Sequence, residues 1–316
     1  GGNWEGNSIP HLILEMNSLC NLLKISRQEL ESSIEKSRLI LKKYRKSRIA
    51  PGTDDKIIVS WNGLMISSLA KVSSALDNSR FFSVASRAVS FILEKMSKKD
   101  GSLYRTHRNG ISHIDAFAED YAFFGNSLVD MYESSFDPSY LKEAKKFADI
   151  LIDNFYENGI FKQSLSKNIV INIKNGMDNA TPSFIFMSCL FLSRLSYYYD
   201  IQKYRNIVKE TLENFGHSIN DYPYAHSTAL LVHNFLSKGP LEIAIAGDKP
   251  DGKLVKIFRT YLLPYKIMAL SDKDLDIPLL SEKLKIDNKE TSYICHNYSC
   301  DRPINSSKEL DKVLSN

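Results

Sequence analysis

Segments that are apolar on every face alternate along this chain with segments that are apolar on one stripe only. The apolar segments cover residues 61–76, 118–132, 183–199 and 225–236, and amphipathic segments at 81–96, 140–155 and 204–215 follow the first three. A helix that is apolar all round must be buried, whereas an amphipathic helix covers a core with one face. The alternation therefore predicts repeated pairs of an inner and an outer helix, and residues 26–48 predict one long helix ahead of them.

Turn signals separate these helices at regular places. Asp137-Pro138 and Thr181-Pro182 each place a capping side chain before a proline at the first helical position. Glycine-bearing segments at 100–106 and 158–164 lie between successive pairs and predict short β-hairpins. An inner helix, an outer helix and a hairpin thus form a repeating unit that cannot bury its inner helix alone, so the units must stack.

Stacked helical pairs of this kind predict a mainly α fold, a partial α/α toroid over residues 1–237, with an open solenoid as the alternative. The inner helices are fewer than a closed ring of six hairpins needs, which predicts an incomplete ring. After Gly239-Pro240 the pattern changes. Strands at 241–246, 266–270 and 292–298 and helices at 251–261 and 306–314 predict a small α/β region over residues 238–316.

Charge and composition exclude several classes of function. The net charge is only +4 with both signs interspersed, and the basic run at 42–48 is typical of a solvated helix face rather than a nucleic-acid site. The densest apolar run, 184–192, is about half the length that spans a bilayer, and the N-terminus has no apolar leader. The cysteines are too few for a dense disulfide framework, which predicts a protein of the reducing cytoplasm.

The cysteine and glycine motifs do not indicate a metal site or a cofactor site. Cys295 and Cys300 lie five residues apart and, even with His296, do not complete a zinc site, so two free thiols are predicted. The sequence also has no glycine motif that binds a dinucleotide or a triphosphate. We therefore expect neither a metal nor a cofactor.

A long motif at residues 48–66 carries a family resemblance. It runs R-I-A-P-G-T-D-D-K-I-I-V-S-W-N-G-L-M-I and resembles the signature of the spermatogenesis-associated protein 20 family, whose bacterial members are of the YyaL type. Four shorter motifs also fit the family: G-N-W-E-G at 2–6, D-Y-A-F at 120–123, D-N-A-T-P-S at 178–183 and C-x4-C-x2-P at 295–303. The resemblance thus extends along nearly the whole chain.

The resemblance implies a six-hairpin toroid, the glycosidase type of fold that sugar epimerases share, with a poorly defined activity. In the family a thioredoxin-like domain precedes the toroid. This chain resembles only the C-terminal part, so that domain is expected to be absent from it. Where the family has small polar residues after P-S, this chain has Phe184-Ile185-Phe186, which implies loss of part of a polar site.

The motif residues gather at the starts of the inner helices, whose N-termini meet at one mouth of a toroid because these helices run parallel. The candidate catalytic residues are Asp54, Asp55, Asp120 and Asp178, and the candidate substrate-binding residues are Lys56, Trp61, Asn62, Tyr121, Ser183 and His226. Cleaving a sugar needs one carboxylic acid to protonate the leaving oxygen and a second carboxylate as base or nucleophile. Trp61 and Tyr121 could stack on a sugar face, and His226 is the candidate acid/base of an epimerase.

Each of these roles has a structural alternative. Acidic residues at helix N-termini act as caps without any catalytic role. Trp61 in an apolar helix is more typical of a core residue, and His226 of an ordinary polar contact. Three hypotheses remain: a toroid that binds or processes carbohydrate, a non-catalytic scaffold that docks a thioredoxin-like domain or protein, and a degenerate fragment without activity. We expect neither nucleic acid nor a membrane as a partner.

Overall fold

A computed structural model describes residues 2–165, 175–271, 276–297 and 299–315. The chain divides into two compact units, residues 1–55 and 56–316. Most of the described residues in regular structure are helical, so the prediction of a mainly α protein is confirmed. The boundary predicted between residues 237 and 238 stays a prediction.

The unit of residues 1–55 contains two helices, α1 (Met16–Leu23) and α2 (Arg27–Arg45). Lys24 ends α1 in the left-handed conformation. Ser26 opens α2 with a capping box: its side chain accepts from the Glu29 amide, and the Glu29 carboxylate accepts from the Ser26 amide at 2.8 Å. The long helix predicted at 26–48 is thereby confirmed.

Helical pairs and short strands make up the first part of the unit of residues 56–316. In chain order these are β1 (Ile57–Ile58), α3 (Val59–Ala75), α4 (Ser79–Lys95), β2 (Tyr104–Arg108), β3 (Ile111–Asp115), α5 (Ala118–Ser135), α6 (Pro138–Phe155), β4 (Tyr156–Glu157), β5 (Ile160–Phe161), α7 (Phe184–Tyr199), α8 (Gln202–Asn214), α9 (Gly216–Asp221) and α10 (Ser227–Lys238). The predicted inner and outer helices therefore form, with ends that differ by a few residues.

The inner helices pack side by side in chain order. Helix α3 packs on α5, α5 on α7 and α7 on α10, while α4, α6 and α8 each cover the inner helix that precedes them. Helices α5 and α7 are buried on nearly every face, as helices without a polar stripe must be. This row of paired helices is a segment of an α/α toroid and confirms the predicted fold class.

Helix α3 departs from the prediction that it is buried all round. Trp61, Met65 and Leu76 are 61%, 59% and 66% exposed, and they follow one stripe along the helix. Helices α5 and α7 each pack between two inner helices, whereas α3 packs on one inner helix of its unit. One side of α3 is therefore not covered by an inner helix of that unit. Apolar sequence alone does not tell whether the second neighbour is present.

Both predicted hairpin segments contain a turn between antiparallel residues, and a further hairpin, β2–β3, follows the first. Strands β1, β2 and β3 form an antiparallel sheet, and Asn109-Gly110 makes the β2–β3 turn with positive φ at both residues. The predicted segment 100–106 contains the Gly101 turn, around which Ser97 and Leu103 form an antiparallel bridge, and its last residues begin β2. Asn158-Gly159, with positive φ at both residues, turns between β4 and β5 inside the second predicted segment.

The C-terminal part of the unit is α/β, as predicted. It contains β6 (Leu241–Ala246), α11 (Lys253–Thr260), β7 (Lys266–Ser271), β8 (Thr291–His296), β9 (Ser299–Cys300) and α12 (Ser307–Leu314). The sheet order is β7-β6-β8-β9, with β6 and β7 parallel across the α11 crossover and the other pairs antiparallel. Tyr298, part of the third predicted strand, lies outside the described residues.

The prediction that Cys295 and Cys300 are free thiols is wrong, because the two are joined by a disulfide. They face each other in register on the neighbouring strands β8 and β9, which brings their sulfurs together. Spacing alone could not reveal this, since it depends on the antiparallel pairing of the two residues.

Candidate functional site

The N-terminal ends of α3, α5, α7 and α10 carry most of the predicted site residues. Asp54 and Asp55 are exposed at the end of the first unit, and Lys56 is exposed at the start of the second. The other seven residues lie in the second unit, where their contacts are described below. Among the described residues, no group of three or more His, Cys, Asp or Glu side chains is arranged to hold a metal ion.

Asp120 links the first two inner helices. Its Oδ1 accepts from the Ser60 amide in the first turn of α3 at 2.9 Å. Its Oδ2 accepts from the Phe117 amide at the start of α5 at 2.8 Å and from Arg105 Nη1 at 2.9 Å. The fully buried carboxylate therefore satisfies amides at two helix N-termini at once.

Burial dominates the electrostatics of Asp120. It raises the pKa of the carboxyl, against the opposing effects of Arg105 and of the Phe117 and Ser60 amides. Arg105 also pairs with Glu119 at 2.5 Å and lies over the Phe117 ring. Both Asp120 oxygens are occupied, so proton transfer from this group would require one of these contacts to open.

Asp178 repeats the same device between the last two inner helices. Its Oδ1 accepts from the Ser183 amide just before α7, and its Oδ2 accepts from the Thr228 amide in the first turn of α10, both at 2.8 Å. The sequence placed both aspartates at helix starts. The structure adds that each carboxylate ties together two neighbouring helix starts.

Tyr121 and His226 are both buried. The Tyr121 hydroxyl accepts from the Leu103 amide at 2.9 Å, and its ring packs on Phe155. His226 Nδ1 lies 2.9 Å from the Tyr222 carbonyl, so Nδ1 carries the proton and Nε2 accepts from the Ser218 hydroxyl at 3.2 Å. These contacts hold the segment ahead of α10 and leave the predicted ligand roles as predictions.

Trp61, Asn62 and Ser183 differ in accessibility. The Trp61 indole is exposed in the first turn of α3, and the Asn62 amide donates to the Ile58 carbonyl at 2.9 Å. The hydroxyl of Ser183, like that of Ser60, is buried without a hydrogen-bond partner among the described residues. Two unsatisfied hydroxyls therefore lie at the N-termini of α3 and α7.

A second charged cluster lies near the C-terminal ends of α5 and α7, and the sequence analysis missed it. Arg194 Nη2 is 2.8 Å from Asp130 Oδ1 and 3.4 Å from Glu133 Oε1. Lys71 lies 3.3 Å from Asp130, and Lys266 lies 3.0 Å from Glu133. The available signal was an Asp and an Arg inside segments that are otherwise apolar, because a buried charge must have a partner.

This cluster should make stability depend on pH. Burial alone would raise the pKa of Glu133, but Lys266 and Arg194 hold it below its ordinary value of about 4.3. The unfolded chain therefore takes up its proton at higher pH than the folded protein does. The stabilisation is complete above about pH 4.3 and is lost as the pH falls through the folded pKa.

We expect urea-unfolding midpoints of the wild type to fall more steeply between about pH 5 and pH 3 than those of Glu133→Gln, which cannot ionise. Glu143→Gln on the outer helix α6 is the matched control. Parallel curves for the wild type and Glu133→Gln would contradict the linkage.

Comparison with known proteins confirms the resemblance noted in the sequence. The chain is 28% identical over 311 residues to human spermatogenesis-associated protein 20, a match that covers 91% of this chain and 39% of that protein. It is 27% identical over 342 residues to the uncharacterized protein B0495.5 of Caenorhabditis elegans, covering 99% of this chain and 46% of that protein. The chain thus spans less than half the length of either relative. No family model matches it.

Two solved structures are similar over about two thirds of the chain. Cellobiose 2-epimerase from Bacillus thermoamylovorans matches with a TM-score of 0.46 at 13% identity, covering 66% of this chain and 62% of that one. The GH76 α-mannanase BT2949 of Bacteroides thetaiotaomicron matches with a TM-score of 0.46 at 16% identity, covering 67% and 58%. Among the described residues, no helix is long and apolar enough to cross a membrane.

Proposed function

We propose that the N-terminal ends of the inner helices form a carbohydrate-binding face, with Trp61 as its stacking platform. The observation that carries the proposal is the 61% exposure of the Trp61 indole in the first turn of α3. An exposed aromatic ring offers a flat apolar surface with a polar N–H at its edge, which suits the face of a sugar ring.

Polar groups near the same helix starts supply hydrogen-bonding capacity. The Ser60 and Ser183 hydroxyls are buried without a partner among the described residues, so a bridging water would satisfy them and connect them to a ligand. Asn62 and Lys56 are neighbours of Trp61 in sequence. This mixture of an aromatic surface and polar groups is typical of small-molecule sites.

Binding is favoured over catalysis for the two aspartates that bridge helix starts. Asp120 and Asp178 each bond to amides of two helices, which accounts for their positions without a reaction. We also propose, as a separate step, that Asp120, Asp178, Asp54 and Asp55 take part in catalysis. For Asp120 and Asp178, catalysis requires the carboxylates to release their bonds to the helix amides when a sugar binds.

A thermal-shift and calorimetric screen against mono- and disaccharides tests the proposal. We expect at least one sugar to raise the melting temperature of the wild type. Trp61→Ala should weaken its binding by about tenfold or more, because the stacking surface is lost, while Trp61→Phe should retain part of it.

The matched control is Met65→Ala, one turn further along the same stripe and 59% exposed. This variant should bind the sugar as the wild type does. If no sugar shifts the melting temperature at millimolar concentration, or if Trp61→Ala binds as tightly as the wild type, the proposed face is wrong. If a sugar does bind, Asp120→Asn and Asp55→Asn show whether these carboxylates contribute to its affinity independently of Trp61.

The exposed stripe on α3 favours a second candidate, a scaffold that docks a thioredoxin-like domain or protein. Trp61, Met65, Val72 and Leu76 continue along the whole helix, further than one sugar needs. Contiguous apolar surface of this kind marks protein interaction sites. Val72→Asp, at the far end from Trp61, should abolish co-elution with a thioredoxin-like domain and leave sugar binding intact. If Val72→Asp keeps co-elution with the domain but loses sugar binding, the scaffold hypothesis is rejected.

A further inference from the structure

A cavity of about 440 Å³ lies away from the proposed sugar face, toward the C-terminal ends of the inner helices. Its wall combines residues of α3, α5, α7 and α10 with residues of the C-terminal α/β part, all within one unit. The volume is in the range of small-molecule sites, about 300–1,000 Å³. Such sites often lie where two layers of structure meet.

The charges on this wall do not balance. Lys71, Arg194, Arg259 and Lys266 line the cavity with only two acidic residues, Asp130 and Glu133. Those two carboxylates are already held by Arg194 at 2.8 Å and by Lys266 at 3.0 Å. Lys71 lies further from Asp130, at 3.3 Å, and its side chain is 67% exposed. Two positive charges are thus in excess.

Arg259 is the most unusual of these cations. Among the described residues its guanidinium donates to the backbone carbonyls of Glu133, Ser134 and Pro250 and to no side chain. No carboxylate of the described residues forms an ion pair with it, and its Nε is buried without a hydrogen-bond partner there. Burial lowers the pKa of Arg259, and the Asp77, Glu133 and Asp251 carboxylates, none of which forms an ion pair with it, oppose this effect without outweighing it.

Apart from a few serine and tyrosine side chains, the rest of the wall is apolar. Leu190, Phe235, Phe258 and Met268 are among its large apolar side chains. A simple inorganic anion would leave this surface in water, whereas a ligand with an apolar body would cover it. The wall therefore fits a molecule with one anionic end and one apolar end.

We propose that this cavity binds a small amphipathic anion, with its carboxylate or phosphate group facing Lys71 and Arg259 and its apolar body against Leu190 and Phe235. The anion supplies the counter-charge that Arg259 lacks among the described residues. Charge-assisted hydrogen bonds of this kind are stronger than neutral ones, particularly beside apolar walls. This site is independent of the sugar face, so either can exist without the other.

Isothermal titration of the wild type with naphthylacetate, naphthyl phosphate and naphthylacetamide tests the site. The three probes share one ring system, and only the first two carry a negative charge. We expect the better anion to bind at least about tenfold more tightly than the amide, since it gains contacts with charged donors. Whichever anion binds more tightly identifies the preferred group.

Two variants locate the binding in this cavity. Lys71→Gln should weaken anion binding by about tenfold, whereas Lys146→Gln, a 45%-exposed lysine on α6, should leave it unchanged. Leu231→Trp should abolish binding by filling the cavity, which Leu231 lines from a half-exposed position. Circular dichroism melting curves verify that each variant is folded.

Several results would overturn the proposal. Equal affinity for the acids and the amide would remove its electrostatic basis. Unchanged binding in Lys71→Gln or in folded Leu231→Trp would place the anion elsewhere. No heat from either anion up to millimolar concentration would rule the site out.

Discussion

Replacing Asp130 with alanine is expected to lower the free energy of unfolding by about 3–5 kcal/mol. The Asp130 side chain is only 2% exposed, and its partner Arg194 is 9% exposed. Burial alone would lower the pKa of Arg194, but Asp130 and Glu133 raise it, so the guanidinium stays charged. Alanine at position 130 leaves this cation with Glu133 at 3.4 Å, a carboxylate already shared with Lys266.

Urea unfolding at neutral pH measures the effect, and Asp115→Ala is the matched control. Asp115 pairs with Lys98 at 2.5 Å but is 85% exposed, so its loss should change stability by less than about 1 kcal/mol. Replacing Asp130 and Arg194 together by Leu and Met should cost less than Asp130→Ala alone, because no buried charge is then left unpaired, since Glu133 keeps Lys266. A loss below about 1 kcal/mol for Asp130→Ala would mean that water reaches Arg194.

The helical pairs could be predicted because their signal is periodic and local. An amphipathic helix such as α6 has its apolar stripe at helical spacing, and Asp137-Pro138 fixes its start. The Asp137 side chain accepts from the Ser139 amide at 2.9 Å, as the cap signal predicted. Nothing beyond neighbouring residues is needed for such an assignment.

The errors concern contacts between residues far apart in sequence or across a turn. The exposure of Trp61 depends on how many inner helices flank α3. The disulfide depends on the pairing of β8 with β9, which brings Cys295 opposite Cys300. Residue type predicts neither, because the same side chain suits both outcomes.

The candidate site shows the same division. Helix-start positions for Asp120 and Asp178 could be predicted, since acidic caps precede helices. That each carboxylate joins two helices 50 or 60 residues apart could not be predicted. The ion pair of Asp130 with Arg194, 64 residues apart, was equally hidden, although a charge within an apolar helix was visible.

A glycine sets the spacing of α3 and α5, and Gly63→Ala is the second substitution expected to have a large effect. A Cβ at position 63 would lie 2.7 Å from the Phe123 carbonyl carbon and 2.7 Å from the Phe124 amide nitrogen. Both are backbone atoms, which cannot move aside as a flexible side chain can. We expect the free energy of unfolding to fall by about 2–3 kcal/mol, the usual cost of overpacking.

Gly216→Ala is the matched control in the same unit. Position 216 begins α9, has nothing within 4 Å of an added Cβ and does not have a positive φ. Alanine there should be neutral or stabilise by up to about 1 kcal/mol, because it favours a helix over glycine. Thermal and urea unfolding of both variants measures how the same glycine-to-alanine change alters stability at a packed position and at an open one.

The direction of the Gly63→Ala result decides between local and tertiary control of α3. Helix propensity alone predicts a gain of about 1 kcal/mol, so a stabilised variant would mean that α3 and α5 are not in backbone contact. A loss would show that the contact outweighs propensity. Separating the helices would also lengthen the 2.9 Å bond from the Ser60 amide to Asp120, since Ser60 lies one turn before Gly63. If the proposed sugar face is correct, Gly63→Ala should also weaken sugar binding at Trp61, which Gly216→Ala should not do.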